Sequence, residues 1–545
     1  MVFVLVVFIP TEKRFCPLQF VLQSGNFYRG ENTTVTRKQR KVSGGGISGN
    51  FADRSLTALK WNYVGVGIKI VLQFMVGVVL ARLLGPGPFG VYTAVLLVGG
   101  IGGLLVDRGF GGALIQMHDL SEDVVCYAFT WLVLTGLGAA AVLCAAAHSV
   151  AALFRYPAMT TAIYGSALYV IMYAVSVVPR ALLRRDLDMK SDQIAQVVAY
   201  LAGFVVVGIG GALVGLGAWS LIGALLTQLI VYVLIAYARV QHTIRPLFRM
   251  PAKAFTSFGN LLTVTNLLNW GIENFDNVVV GRVYGIHALG LYSVSYNLVR
   301  TPTDHLITTA QGVVFAAAAR AQKNVPALQK AYLAAVSAVL LVSCPVFLGM
   351  ASVAPTIVEG IYAAKWAGAE KLLLPLALAM PVHALLVGSG LLWARGKGAA
   401  ERNVEAGTLA IFLVGLLIAP RISLQAIAWT VLSVYILRGL WLTSNILHSI
   451  QLTWCDFFAA TRGGLYLGIV TAGSFYIVDM GLAANGMIAL NRVFILGCVG
   501  LIVVTALPIC IPGLISSPEL RTVLENAVPE SPGFLRTVMQ LYAKS

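Results

Sequence analysis

ARLLGPGPFGVYTAV, residues 81–95, and GRVYGIHALGLYSVS, residues 281–295, are one corner written twice. Laid over each other without a gap they share Arg82/Arg282, Gly85/Gly285, Gly90/Gly290 and Tyr92/Tyr292. Each copy lies between two long apolar runs. In the first copy Pro86 and Pro88 stop the preceding helix, because proline has no N–H for the helical ladder. Gly85 and Gly90 permit the turn. Arg82 and Arg282 sit at a helix C-terminus, where a cation offsets the negative end of the dipole. A capped turn accounts for each residue singly. Its recurrence after 200 positions, at the same place in helix order, points to an internal duplication.

The surroundings of the corner are those of a membrane protein. Of 545 residues 58% are hydrophobic and 11% charged, against about 25% charged in soluble domains. The mean hydropathy is +0.83. The formal charge of +16 fits basic loops beside anionic lipid. No basic, aromatic-rich soluble module is present, so nucleic acid is not an expected partner. Cys16, Cys126, Cys144, Cys344, Cys455, Cys498 and Cys510 are scattered, without CxxC or Cys/His spacing, which gives neither a disulfide framework nor a metal site.

Hydrophobic runs of about 20 residues give about fourteen candidate helices. They cover roughly 61–82, 89–114, 124–148, 160–182, 190–209, 217–239, 256–280, 287–315, 329–351, 369–394, 403–419, 422–446, 457–479 and 488–511. Each corner joins an odd helix to the next even one. An even helix count between the copies gives both the same orientation, the parallel-repeat arrangement of some transporters. A weaker echo pairs LFRYPAM (153–159) with IYAAKWAGA (361–369). The expected fold is therefore all-α and membrane-embedded, two six-helix lobes plus two C-terminal helices. Its divisions are a tail (1–55), lobes at 56–250 and 251–450, a helix pair at 451–513 and a C-terminal tail (514–545). Residues 1–55 read as a disordered cytoplasmic tail or as an extension from a start codon placed too early. Basic residues after the even helices, among them Arg184, Arg185, Arg239, Arg245, Lys253, Lys323, Arg395 and Lys397, put both termini in the cytoplasm. The acidic loop Asp119, Glu122, Asp123 runs against that pattern.

Polar residues within the apolar runs mark candidate chemistry. The first helix carries Lys69 and Gln73; the seventh carries Asn266, Asn269, Glu273 and Asp276 along one stripe. At an offset of 200, Asn269 falls on Lys69 and Glu273 on Gln73. A charge at the bilayer centre costs about 2.5–3.5 kcal/mol on insertion scales, so these side chains are expected to face protein or a wet cavity between the lobes. A buried polar pair holding helices together is the plainer alternative. Asp107–Arg108 and Arg300–Asp304 can each form an ion pair, and His383 reads as a core histidine. No GxxxxGK[ST], HExxH or GxSxG is present, and the run 99–112 lacks the strand–turn–helix setting of a dinucleotide site. No cofactor is expected.

The corner, with VVPRALLRRDLDMKSDQ (177–193), GLGAWSL (215–221), DNVVVGRVYGIHALGLYSVSYNLVRTP (276–302) and KWAGAEKLLLPLALAM (365–380), resembles the polysaccharide-exporter and Wzx-type flippase branch of the multidrug/oligosaccharidyl-lipid/polysaccharide (MOP) superfamily. The resemblance covers about residues 56–515. FAAAARAQKN (315–324) departs from the branch in lacking a proline after the phenylalanine. The resemblance implies a central cavity lined largely by helices 1, 2, 7 and 8, with helices 13 and 14 peripheral. It implies translocation of a lipid-linked oligosaccharide or related precursor across the bacterial inner membrane, without enzymatic chemistry. On that reading Lys69, Gln73, Arg82, Asn269, Glu273, Asp276, Arg282 and Arg300 are the candidate substrate-binding residues. The bilayer, the lipid-linked glycan, a polysaccharide polymerase and glycosyltransferases are the candidate partners. A cation-coupled multidrug antiporter and a membrane glycosyltransferase or polymerase are the competing readings.

Overall fold

The computed structural model describes residues 49–107, 109–117, 120–249, 258–320 and 324–510. Arg108, Asp119, Lys253, Lys323 and most of both expected tails lie outside the described residues. Among the described residues thirteen helices are long and apolar enough to cross a membrane. One of them, Phe258–Arg320, contains a break at Gly285 (φ 84°, ψ 177°), so it makes two passes and the count of fourteen holds.

The passes are α1 (Gly49–Leu84), α2 (Pro86–Asp107), α3 (Glu122–Leu153), α4 (Met159–Arg185), α5 (Met189–Leu213) and α6 (Ala218–Val240) in the first half. The second half has α7 (258–284), α8 (286–320), α9 (Val325–Ser352), α10 (Glu370–Ala394), α11 (Gly398–Arg421) and α12 (Leu424–Ile450). α13 (Trp454–Ala484) and α14 (Ala489–Cys510) follow. A short helix, Ala354–Tyr362, follows α9.

Helix ends follow local chemistry. Gly85, at φ 79°, ends α1 in the left-handed conformation, and Pro86 opens α2. Ser121 caps α3 through Val124 N–H, which explains the acidic loop: Glu122 and Asp123 occupy the first turn, where the helix dipole favours them. Asp188 caps α5 at Ser191, Ser423 caps α12 at Ala426, and Thr453 with Asp456 forms a capping box on α13. α8 contains Pro302 but runs on past Phe315 to Arg320 without a further proline. α5 contains a π-helical stretch, Leu201–Ile209.

α13 and α14 lie outside the two halves. Gly464 and Gly468 let α13 approach the backbone of α9 at Leu340 and Cys344, but only 6% of the apolar window of α14 is buried within the protein. The rest is left for lipid, in keeping with the peripheral place the resemblance implies for these helices.

Candidate functional site

The two corners meet each other. A Cβ on Gly90 would collide with the carbonyl of Ile286, and one on Gly290 with the carbonyl of Pro86. Residue 286 is residue 86 plus the repeat offset, so the contact is reciprocal, like that across a two-fold axis. Thr93 donates a 2.8 Å hydrogen bond to Ser293, again 200 positions away. α2 and α8 thus pack as counterparts, glycine against backbone, and the parallel repeat is visible in the contacts.

The corner arginines exchange partners in the same way. Arg82 donates from Nε to Ile361 O at 2.7 Å and from a terminal nitrogen to Gly360 O. Arg282 donates to Ala152 O and Leu153 O, each at 3.1 Å. Gly360 and Ile361 end the short helix beyond α9; Ala152 and Leu153 end α3. Each arginine therefore satisfies the orphan carbonyls of a helix in the opposite half. The sequence suggested compensation of its own helix dipole; the structure places the guanidinium on the other half's.

Behind this seam lies a cavity of about 610 Å³ between the halves. Thr93 and Ser293 line it near the corner, and Gln73, Glu273 and Arg300 line it farther along. α1, α2, α7 and α8 supply most of its wall. α5 and α6 add Tyr200, Phe204 and Gln228, which sequence reasoning did not assign to it. The π-helical stretch of α5 contains Phe204, and its stacking on Tyr200 (4.9 Å) sets that wall.

Of the expected cavity residues, Gln73, Glu273 and Arg300 line it; Lys69, Arg82, Asn269, Asp276 and Arg282 do not. Arg82 and Arg282 are at the seam. Asp276 is fully buried, accepting from Tyr292 O–H (2.6 Å) and from Asn277. The cavity face of α7 is Glu273, Asn274 and Asn277, a stripe rotated from the expected one; Asn266 is exposed. Lys69, half-buried one turn from Gln73, donates to Gln196 at 2.9 Å. Its electrostatic neighbours are Arg180, Asp192 and Arg184. Asp192 is buried, accepts from Tyr232 O–H at 2.7 Å and lies 3.5 Å from Arg184.

In the second half the charges form a chain. Arg300 pairs with Glu273 and with Asp304 (3.1 Å), and Asp304 faces His383 at 3.4 Å. His383 is buried and stacked on Tyr435 (4.7 Å), a core histidine. Asn269 donates to Glu273 at 3.0 Å and accepts from Arg438 at 2.6 Å. Arg438 and Glu405, both buried, pair at 2.7 Å. Sequence reasoning missed that pair. Arg438 stands alone in the apolar run of α12, while Glu405 follows the polar Glu401, Arg402 and Asn403 on α11, so an intramembrane charge that needs a partner was the only signal.

Residues 79–371 match the polysaccharide biosynthesis protein family. The chain belongs to this family. Among its relatives, the lipopolysaccharide biosynthesis protein WzxC of Escherichia coli is 23% identical over 330 residues, 58% of this chain and 65% of WzxC. The succinoglycan biosynthesis transport protein ExoT of Rhizobium meliloti is 24% identical over 410 residues, 71% of this chain and 82% of ExoT. The chain thus spans just under two thirds of WzxC. In fold it is similar to the lipid II flippase MurJ in an inward closed conformation (TM-score 0.62, 12% identity, covering 82% of this chain and 98% of MurJ). It is also similar to an inward-facing multidrug resistance MATE family transporter of the MOP superfamily (TM-score 0.56, 13% identity, 72% and 99% covered).

Proposed function

We propose that this polysaccharide biosynthesis family member translocates a lipid-linked oligosaccharide or related glycan precursor across the bacterial inner membrane by alternating access, with both termini in the cytoplasm. The observation that carries the reading is the cavity between two repeat-related halves, apolar over most of its wall with polar groups set into it and shut at its corner end by reciprocal, breakable contacts. A sugar head linked through phosphate needs a wet route past about 30 Å of hydrocarbon, while its lipid tail stays in the bilayer. Gln73, Asn274, Asn277 and Gln228 offer neutral hydrogen-bonding groups to sugar hydroxyls. Arg300 offers a fork suited to phosphate, and Glu273 competes for it. Lys69, Arg180 and Arg184 gather near the carboxylate of Asp192. That cation excess beside the cavity favours an anionic cargo over a cationic drug. Translocation forms and breaks no covalent bond, so no catalytic group is assigned.

The test is reconstitution in vesicles with a fluorescent lipid-linked oligosaccharide. The wild-type chain is expected to expose the label to an external quencher, and Lys69→Met to lose most of that activity while melting like wild type. Wild-type flipping by Lys69→Met removes the cationic role of this residue; no flipping by the wild-type chain defeats the reading. Labelling of a cysteine at Gly215 from the outside checks the orientation.

A further inference from the structure

The two halves are unequal beside the seam. Arg82 and Arg282 occupy equivalent corners, yet the surface next to each differs. Beside Arg82, the Trp366 side chain is fully buried, donates to Ala81 O at 3.0 Å and meets Phe89 edge-on. Lys365 donates to Arg82 O. In the LFRYPAM/IYAAKWAGA pairing, Ala158 stands where the other repeat has Trp366, and Arg155 stands where it has Ala363. Arg155 and Ala363 share a left-handed backbone, φ 52° and 68°. The positive φ recurs in both repeats, and the arginine belongs to this half alone.

The space beside Arg282 is a second cavity, of about 410 Å³. Arg155, Tyr156, Arg282 and His287 line it, with no carboxylate among its lining residues. Arg155 makes no side-chain hydrogen bond or ion pair among the described residues. Arg282 commits only one terminal nitrogen to Ala152 and Leu153. Two guanidiniums thus retain donors toward one concavity. Its edge is apolar: Leu153 and Val283 are 42% and 46% exposed, and Tyr156, ring and hydroxyl, suits the headgroup level of a bilayer.

We infer that this cavity binds the phosphate of an anionic lipid headgroup on the corner face of the membrane. Arg155 and the free edge of Arg282 would grip phosphate oxygens, since guanidinium forks match them bidentately, and the acyl chains would lie along Leu153 and Val283. The site uses no wall of the central cavity and does not depend on what that cavity carries.

The experiment is thermal melting and native mass spectrometry of the full chain in detergent with phosphatidylglycerol, phosphatidylcholine or inorganic phosphate. Phosphatidylglycerol is expected to raise the melting temperature and leave bound lipid, beyond the effect of phosphatidylcholine. Arg155→Ala should weaken phosphatidylglycerol binding about tenfold, as loss of a charge-assisted contact does, and Arg155→Lys should restore much of it. Arg155→Glu, which sets a carboxylate at the concavity, should abolish the excess binding. Equal response to the two lipids, or wild-type binding by both Arg155→Ala and Arg155→Glu, overturns the site. A full response to inorganic phosphate with none to phosphatidylglycerol overturns the lipid source. Because the readout is binding, a chain that fails to flip glycans can still pass.

Discussion

At the corners the two halves act as copies: glycine meets backbone and arginine meets helix end, each twice with the partners exchanged. A few turns deeper they share only polarity. The first half gathers Lys69, Arg180 and Arg184 around Asp192. The second balances Arg300 and Arg438 against Glu273, Asp304 and Glu405. The difference shows which kind of contact duplication preserves. A backbone-to-backbone approach tolerates only glycine on both sides, so both copies keep it. A charge needs merely some partner, and each half has found its own.

The largest way to break the contrast is to attack the private chemistry of one half. Arg438→Met should leave Glu405 buried without its cation and destabilise the fold by about 3–5 kcal/mol. Arg438→Met with Glu405→Leu should recover most of that loss, since removing both charges avoids the orphan. Thermal melting in detergent reads both variants; equal damage in the single and the double would place the effect in packing instead.

The shared corner comes next. Gly290→Val puts a branched side chain against Pro86 O and should cost about 1–3 kcal/mol, the usual scale of overpacking. Unlike Arg438→Met, it should act by parting the halves. Cross-linking of Thr93→Cys with Ser293→Cys, efficient in an otherwise wild-type chain, should fall sharply. Unchanged cross-linking would show that the halves can close without the glycine contact.

Smaller effects sharpen the pairing of the arginines. Arg82→Ala and Arg282→Ala should each cost about 1 kcal/mol, as exposed hydrogen bonds do. Each should lower the same cross-link by a similar factor, with the double variant lowering it further. A large effect from one arginine and none from the other would deny the exchange of partners.

The smallest effect lies outside the duplicated seam. Burial opposes ionisation of Asp188, but hydrogen bonds from Ser191 and Arg239 outweigh it and hold the carboxyl below the usual carboxylate range. The folded value is the lowered one, so the charge stabilises above the unfolded carboxylate range, and that contribution fades as pH falls through the folded value. Asp188→Asn, which still caps α5, should melt slightly below wild type at pH 7 and match it in strong acid.

Much of the framework was legible in the sequence because hydropathy and the corner residues are local signals. The helix count and the echo of LFRYPAM in IYAAKWAGA needed no tertiary knowledge. The partners of Arg82 did not follow from the same signals: Gly360 and Ile361 lie in the other half, and they offer carbonyls, which every residue carries. Asp276 illustrates a second limit. Spacing placed it on a stripe with Asn269 and Glu273, but a membrane helix has protein on several sides, and Tyr292 claims it from within the second half. The Arg300–Asp304 pair was readable because both residues stand on one helix, four positions apart.

The reciprocity at Gly90 and Gly290 also bears on ancestry. A surface on which residue 86 meets 290 while 286 meets 90 is one patch facing itself. That is the geometry of a symmetric homodimer. A six-helix protein with an ARLLGPGPFG corner would already hold the complement to its own surface, so pairing would come before fusion of the two copies. Once both copies share a chain, each can change its interior without regard to the other, while the patch stays under double constraint. Here the first half sets Phe154 against Gly281 and leaves an open pocket beside Arg282, whereas the second half sets Trp366 against Ala81 and Phe89.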